Sequence, residues 1–224
     1  MDLIIASESA SRQRILGCAN VSFKVVRPQV DEDSITRSLI VEKAKPSDIA
    51  DTLAEHKARK VSIKNPDSWV LGCDQIVAFD GRVFGKPASP YALKQHLLSL
   101  SGQTHRLITA NVIYKNTKPV WRHVAVSHMT MYAMTEIEIN SYVETAWPRV
   151  QHSAGGYYFE ETPHLFSEVR GNWFDIMGLS IRPIIAFLNA QAITPLFDYP
   201  KLAAVLGHPI SHSKSPRMHG YWLK

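Results

Sequence analysis

Val70-Leu71-Gly72-Cys73-Asp74-Gln75-Ile76-Val77 is an apolar run with one aspartate set into it. It reads as a buried strand whose charge is displayed where the strand leaves the core. A buried, unpaired carboxylate is costly, so Asp74 needs a metal, a basic partner or a catalytic role, unless it is an ordinary strand-end or turn aspartate. Just after the run, Asp80-Gly81 is a two-residue hairpin signal, and the return strand leads into Val83-Phe84-Gly85-Lys86-Pro87. A hairpin brings its ends together, which places Lys86 either near Asp74, facing an anion, or in a solvated loop. Just before it, residues 47 to 60 read as a helix whose buried face carries Ile49, Leu53 and Val61. Lys57 follows Leu53 by one helical turn, so it points toward the core margin unless it is exposed, as most lysines are.

The chain opens with Leu3-Ile4-Ile5-Ala6-Ser7-Glu8-Ser9-Ala10-Ser11-Arg12, the pattern of a strand, a turn and a helix start. Free N–H groups at a helix N-terminus attract anions, serines cap them or bind phosphate, and an early arginine adds a bidentate donor. Arg12 is the best placed; the alternative is an ordinary capped helix with surface arginines. Val30-Asp31-Glu32-Asp33 is either a solvated loop or helix start favoured by the helix dipole, or a source of ligands for a hard metal.

Further along, Ser89-Pro90 begins a helix with Leu93, Leu97, Leu98 and Leu100 on its apolar face, and Ser101-Gly102 stops it. Residues 105 to 114 and 120 to 132 alternate as strands around Asn116-Thr117-Lys118. Thr135-Glu136-Ile137-Glu138 is a capping box opening a helix through Tyr142 and Val143, with Trp147-Pro148 beyond it. Ser153-Ala154-Gly155-Gly156-Tyr157-Tyr158-Phe159-Glu160-Glu161 could wall a base-binding pocket or form a packed turn and strand, and residues 180 to 190 form an apolar helix. His105 is a ligand or base or, with ten scattered histidines and none at paired metal spacing, an ordinary polar residue. Strands alternating with helices, plus a hairpin, indicate an α/β protein with a mixed sheet.

Composition bounds the function. With 224 residues, 45% of them hydrophobic, the chain can bury a full core as one large domain or two small ones. Cys18 and Cys73 show no metal spacing and suit a reducing cytoplasm. The N-terminus has neither a basic leader nor a long apolar segment, and no stretch approaches a membrane span, so a soluble cytoplasmic protein is expected. A formal net charge of +5 permits an anionic partner, but the basic residues are scattered rather than blocked or interleaved with aromatics, so no nucleic-acid partner is expected.

Taken in order, several short motifs match one family. They are Ala6-Ser7-Glu8-Ser9 with Arg12 and Leu16, Asp31-Glu32, Leu53-Ala54 with Lys57-Ala58, Gly72-Cys73-Asp74-Gln75, Gly85-Lys86-Pro87, Leu100-Ser101-Gly102 with His105, Ala154-Gly155, and Gly171 with Gly178-Leu179. Residues 3 to about 191 therefore resemble the Maf-like nucleoside triphosphate pyrophosphatases. The resemblance implies an elongated mixed central sheet flanked by helices, like that of the inosine triphosphatases, with a deep nucleotide cleft and commonly a homodimer. It implies hydrolysis of a nucleoside triphosphate between the α and β phosphates, with a divalent cation, Mg²⁺ or Mn²⁺, as cofactor. By position, Arg12 would grip phosphate beside Ser7 and Ser9, Glu32 would hold metal, and Asp74 would orient or deprotonate water while touching metal. Lys57 and Lys86 would neutralise the triphosphate, and Gln75 and Glu160 would contact substrate.

Many family members have Asp-Thr where this chain has Asp74-Gln75, and Asp-Gln resembles the branch that prefers 7-methyl-GTP. Tyr158 stands where that branch has a lysine, with Glu160 retained, and Gly178-Leu179-Ser180 replaces the family's Gly-Leu-Pro. The alternative function is a nucleotide-binding regulatory protein of the same fold, linked to septum formation, with weak or no turnover. Residues 1–192 would form the Maf-like domain. Residues 193–224 would be a linker and a truncated segment, in which residues 204 to 223 resemble the opening strand and substrate loop of shikimate dehydrogenase. The segment reads as a fusion remnant, a truncation or a reading-frame joint.

Overall fold

The apolar run around Asp74 forms β3 (Trp69–Phe79), buried along nearly its whole length in the computed structural model, which describes residues 3–191. Asp80 and Gly81 take φ of 48° and 71°, the left-handed pair of a tight hairpin turn, and the chain returns as β4 (Arg82–Phe84). On its other edge β3 pairs antiparallel with β5 (Thr104–Lys115), which pairs with β6 (Lys118–Met131), and β6 with β7 (Phe166–Arg170). Near the start of the chain, β1 (Leu3–Ala6) lies parallel to both β2 (Phe23–Val25) and β3. The result is a mixed seven-stranded sheet in the order β2-β1-β3-β5-β6-β7, with β4 added to β3.

One edge of β3 is shared between two partners. β1 covers Trp69 to Gly72 and β4 covers Val77 to Phe79, so Cys73 to Ile76 face neither. Asp74 lies in that gap. The expectation that Asp74 sits where the strand leaves the core is therefore corrected: it is in mid-strand, and accessible because its neighbouring strand has ended.

Period-two alternation divides the core. Val70, Ile76 and Ala78 join Ile108, Ala110, Val112 and Tyr114 on the face covered by α3 (Pro46–Lys64), whose Ile49, Leu53, Ala54, Ala58 and Val61 complete the cluster. On the opposite face Val77, Leu107 and Met129 pack with Leu93, Leu97 and Leu100 of α4 (Pro90–Leu100), and with Ile139, Val143 and Ala146 of α5 (Glu136–Val150). The helix starts follow their sequence signals. Ser9 caps α1 (Ala10–Cys18), Asp31 caps α2 (Glu32–Val41), Ser89 precedes Pro90, and Thr135 with Glu138 forms the capping box.

Two boundaries differ from the sequence reading. α5 continues through Pro148, which lies in the helix's last turn, where a proline forfeits a single backbone bond. Residues 153 to 161 form no strand; Ala154–Gly156 is a 3₁₀ turn with Gly155 and Gly156 at φ 75° and 80°. The short α6 (Trp173–Ile176) and then α7 (Ile181–Ala190) follow β7. The chain divides into units Met1–Phe187 and Leu188–Lys224. The shikimate dehydrogenase-like segment lies outside the described residues. Among the described residues no helix is long and apolar enough to cross a membrane.

His105 is a core residue, 1% exposed, sharing a 2.7 Å hydrogen bond between Nε2 and the Tyr157 hydroxyl. Burial disfavours its charged form and lowers its pKa to about 4.

Two predictions follow from this packing. A Cβ at Gly72 would stand 2.1 Å from the Ala54 carbonyl oxygen and 2.7 Å from the Ala58 nitrogen. Gly72→Ala should therefore lower the unfolding free energy by about 3 kcal/mol or more in denaturant titration, because helix backbone cannot yield as a side-chain tip can. The unfolded chain protonates His105 near its ordinary pKa while the folded chain resists until about 4, so stability falls as pH drops through that window. The loss should approach about 3 kcal/mol, and His105→Gln should flatten this part of the stability profile relative to the wild type.

Candidate active site

Beyond Ala6 the chain turns through Ser7 and Ser9 into α1, directly beside the open edge of β3. Ser9 Oγ accepts from the Arg12 backbone N–H, and Ser7 Oγ accepts from the Ser9 N–H at 3.3 Å. The Arg12 guanidinium spans the opening. Its Nη1 donates to Ser7 Oγ at 3.1 Å and to the Cys73 carbonyl at 3.2 Å, while its Nε donates to the Gly178 carbonyl at 2.9 Å. Arg12 thus satisfies a backbone carbonyl of the strand segment that neither β1 nor β4 covers.

Gly72 and Asp74 share the face that meets α3. Without a side chain at 72, the α3 backbone settles onto the strand, and Lys57, one turn beyond Leu53, reaches the carboxylate. The sequence places Lys57 at the core margin; in the structure it is 6% exposed and Asp74 5%. Lys57 Nζ donates to Asp74 Oδ1 at 2.5 Å and lies 3.0 Å from Glu32 Oε1. Burial pushes the ammonium toward neutrality, but Asp74 and Glu32 outweigh it and hold the Lys57 pKa above its ordinary value. Glu32, in the first turn of α2, binds Lys86 through its other oxygen, Oε2, at 3.1 Å. Burial works against its charge, and Lys57 and Lys86 overcome it, so its pKa lies below the usual carboxylate range. Lys86 is kept in place by the glycine turn, where the Gly155 N–H donates to the Gly85 carbonyl at 3.4 Å.

These groups line one cleft of about 1480 Å³, and its far wall is aromatic, formed by Tyr157, Tyr158, Phe159, Trp173 and Phe174. Glu160 lies there with Oε1 accepting from Ser11 Oγ at 2.9 Å and the Arg14 guanidinium 3.8 Å away. Gln75 also lines the cleft, but its side chain is on the sheet face opposite Asp74. Its amide nitrogen donates to Thr109 Oγ1 and to the Asp175 and Ile176 carbonyls, tying the strand to α6. Sequence reasoning did not single out Ser11, Arg14, Trp173 or Phe174, which line the cleft. Trp173 is 53% exposed and meets the Phe159 ring edge-on at 5.4 Å. Asn172, a capping residue directly before it, was the available signal.

Among the described residues no group of three or more His, Cys, Asp or Glu side chains could hold a metal ion. Two carboxylates nevertheless converge here, since Glu32 and Asp74 both contact one ammonium nitrogen. A hard cation such as Mg²⁺ is commonly held by one or two carboxylates together with substrate phosphates, so this donor set fits one.

The family model described as "Maf-like protein" matches residues 2–191. A nucleoside triphosphate pyrophosphatase of Ruegeria pomeroyi is 44% identical over 197 residues, 88% of this chain and 98% of its own length. A 7-methyl-GTP pyrophosphatase of Brucella abortus is 35% identical over 190 residues, covering 84% and 96%. A looser likeness, with 12% identity and a TM-score of 0.44 over 85% of this chain and 99% of the other, is to a HAM1 protein from Coxiella burnetii. The comparisons give no support to the shikimate dehydrogenase resemblance of residues 204 to 223, and the family match ends before them. From Ser7 to Gly178, the matched region contains every group that builds the cleft, and the chain belongs to the Maf-like protein family.

Proposed function

We infer that the chain is a nucleoside triphosphate pyrophosphatase, releasing a nucleoside monophosphate and pyrophosphate. The observation that carries this reading is the convergence, in one cleft, of a buried carboxylate, a second carboxylate, two lysines and the arginine-bearing start of α1. Hydrolysis at the α-phosphorus forms a P–O bond to water and breaks the α–β bridge, loading negative charge onto the departing pyrophosphate. Lys57 and Lys86 stand where they can receive that charge, and preorganised cations stabilise it best where water is excluded. Asp74 Oδ1 accepts from the Lys57 ammonium, and its carboxylate is the group to orient the attacking water and take its proton. Glu32 and Asp74 would hold Mg²⁺ or Mn²⁺, which when bound supplies Lewis-acid polarisation of the phosphates.

The base would lie against the aromatic wall, with Trp173 and Tyr158 as stacking surfaces and Glu160 at its edge. 7-Methyl-GTP is the favoured substrate on the strength of Asp74-Gln75 and the Brucella relative's name. A homodimer in the cytoplasm, with residues 1–192 as the catalytic domain, completes the proposal; the shikimate dehydrogenase-like reading of the tail rests on its sequence alone.

Pyrophosphate release from 7-methyl-GTP, UTP, dTTP and CTP with Mg²⁺ or Mn²⁺ tests the function and identifies the base. Asp74→Asn should lower turnover at least about 100-fold, as expected on losing a general base. Its unfolding free energy should fall by about 2 kcal/mol, less than the full cost of an orphaned buried charge, because Glu32 remains beside Lys57. Unchanged turnover in this variant would remove Asp74 from the mechanism, and nucleotide binding without release by the wild type would favour the regulatory, septum-linked alternative.

A further inference from the structure

Lys57 is engaged on two sides by carboxylates. Its ammonium lies 2.5 Å from Asp74 Oδ1 and 3.0 Å from Glu32 Oε1, while Lys86 holds the second Glu32 oxygen at 3.1 Å. Two carboxylates and two ammoniums balance, and the position a divalent cation would share between Glu32 and Asp74 already faces a positive charge. Lys57 has little room to retreat. Its stem is buried in the stripe of α3 between Leu53 and Val61, and that helix is pressed onto Gly72. Toward the core lie apolar side chains that offer an ammonium nothing, so the direction left to it is the cleft.

We propose that Lys57 is an internal counter-ion that excludes a free divalent cation from the Glu32–Asp74 pair until a triphosphate enters, so that the species bound productively is the cation–nucleotide complex. This rests on the pyrophosphatase reading for the identity of the ligand. The electrostatics turn on sign. Bringing a double positive charge beside Lys57, into a cluster whose negative charges are already neutralised, is repulsive in a poorly solvated site. A triphosphate adds several negative charges at the cleft mouth and gives the Lys57 and Lys86 ammoniums new partners. Both carboxylates are then released at the moment the phosphates bring their own cation. The same swing carries Lys57 from the attacking side of the reaction toward the leaving group.

Mn²⁺ binding without turnover is the test, read from the electron paramagnetic resonance signal of free Mn²⁺ during titration of the protein. Wild type alone should leave the signal unchanged, whereas Lys57→Met, with its carboxylates uncompensated, should bind Mn²⁺ at least about tenfold more tightly. Lys86→Gln disturbs only the exposed side of Glu32 and keeps the buried pair, so it should fold normally and show a smaller gain. Thermal denaturation of the wild type gives an arm that needs no variant. Mn²⁺ alone should leave the melting temperature unchanged, and Mn²⁺ with a triphosphate bridged by methylene between the α and β phosphorus atoms should raise it beyond the analogue alone. Wild type that binds Mn²⁺ alone as tightly as Lys57→Met, or that is stabilised equally by Mn²⁺ with and without the analogue, would overturn the proposal. Failure of the pyrophosphatase reading would appear separately, as absent pyrophosphate release from every triphosphate tried.

Discussion

A lysine ammonium and an aspartate carboxylate, both buried and 2.5 Å apart, fix how the main helix lies on the sheet. Either charge alone at this depth would cost several kcal/mol, so neither α3 nor β3 can shift without exposing an uncompensated ion. Their approach depends on Gly72, two residues before Asp74 on the same face, because any side chain there would meet the helix backbone. Ala54 and Ala58 are the helix's half of that contact. The ion pair is poor evidence for stability, since a well-packed apolar pair would hold the layers at least as well. It is better evidence for a task that needs a charge in that position.

The second constraint is the divided edge of β3. A strand segment with uncovered carbonyls is a liability in a sheet interior. Here the end of β1 and the start of β4 leave four residues open, and Arg12 crosses from α1 to bond one of the freed carbonyls. The gap is what makes Asp74 accessible in the middle of a strand whose neighbours are buried. The same guanidinium ties the Gly178 turn to this opening, so the rim of the cleft is supported from two directions.

Most of the fold was legible because its signals are local. Asp80-Gly81 specified the hairpin, Ser89-Pro90 and Thr135 to Glu138 specified helix starts, and alternation along residues 105 to 114 specified a strand, which the structure buries on both faces. What was not legible depended on distant partners. Asp74 looked like a strand-end residue because the end of β1, which exposes it, lies far away in sequence. Lys57 looked marginal because nothing in α3 announces the carboxylates that retain it in the core. Gln75 read as a substrate contact by the family resemblance, yet it points to the sheet face opposite Asp74, and its amide is taken up by Thr109 and α6. Trp173 escaped notice because a lone tryptophan after a turn has no periodicity to report.

The arrangement also bears on when Asp74 can act as a base. A carboxylate oxygen that accepts a short hydrogen bond from an ammonium has its lone pair engaged and is a weak proton acceptor. Asp74 Oδ1 is so engaged by Lys57, and on the proposed mechanism that contact has to loosen before this oxygen can take a proton from water. In that mechanism a triphosphate would give Lys57 an anionic partner in addition to Glu32 and so loosen its hold on Asp74. Glu32 reinforces this coupling because it touches both lysines, so drawing either toward phosphate loosens its hold on the other. On the proposed mechanism, binding of the triphosphate and release of that Asp74 oxygen are then one event.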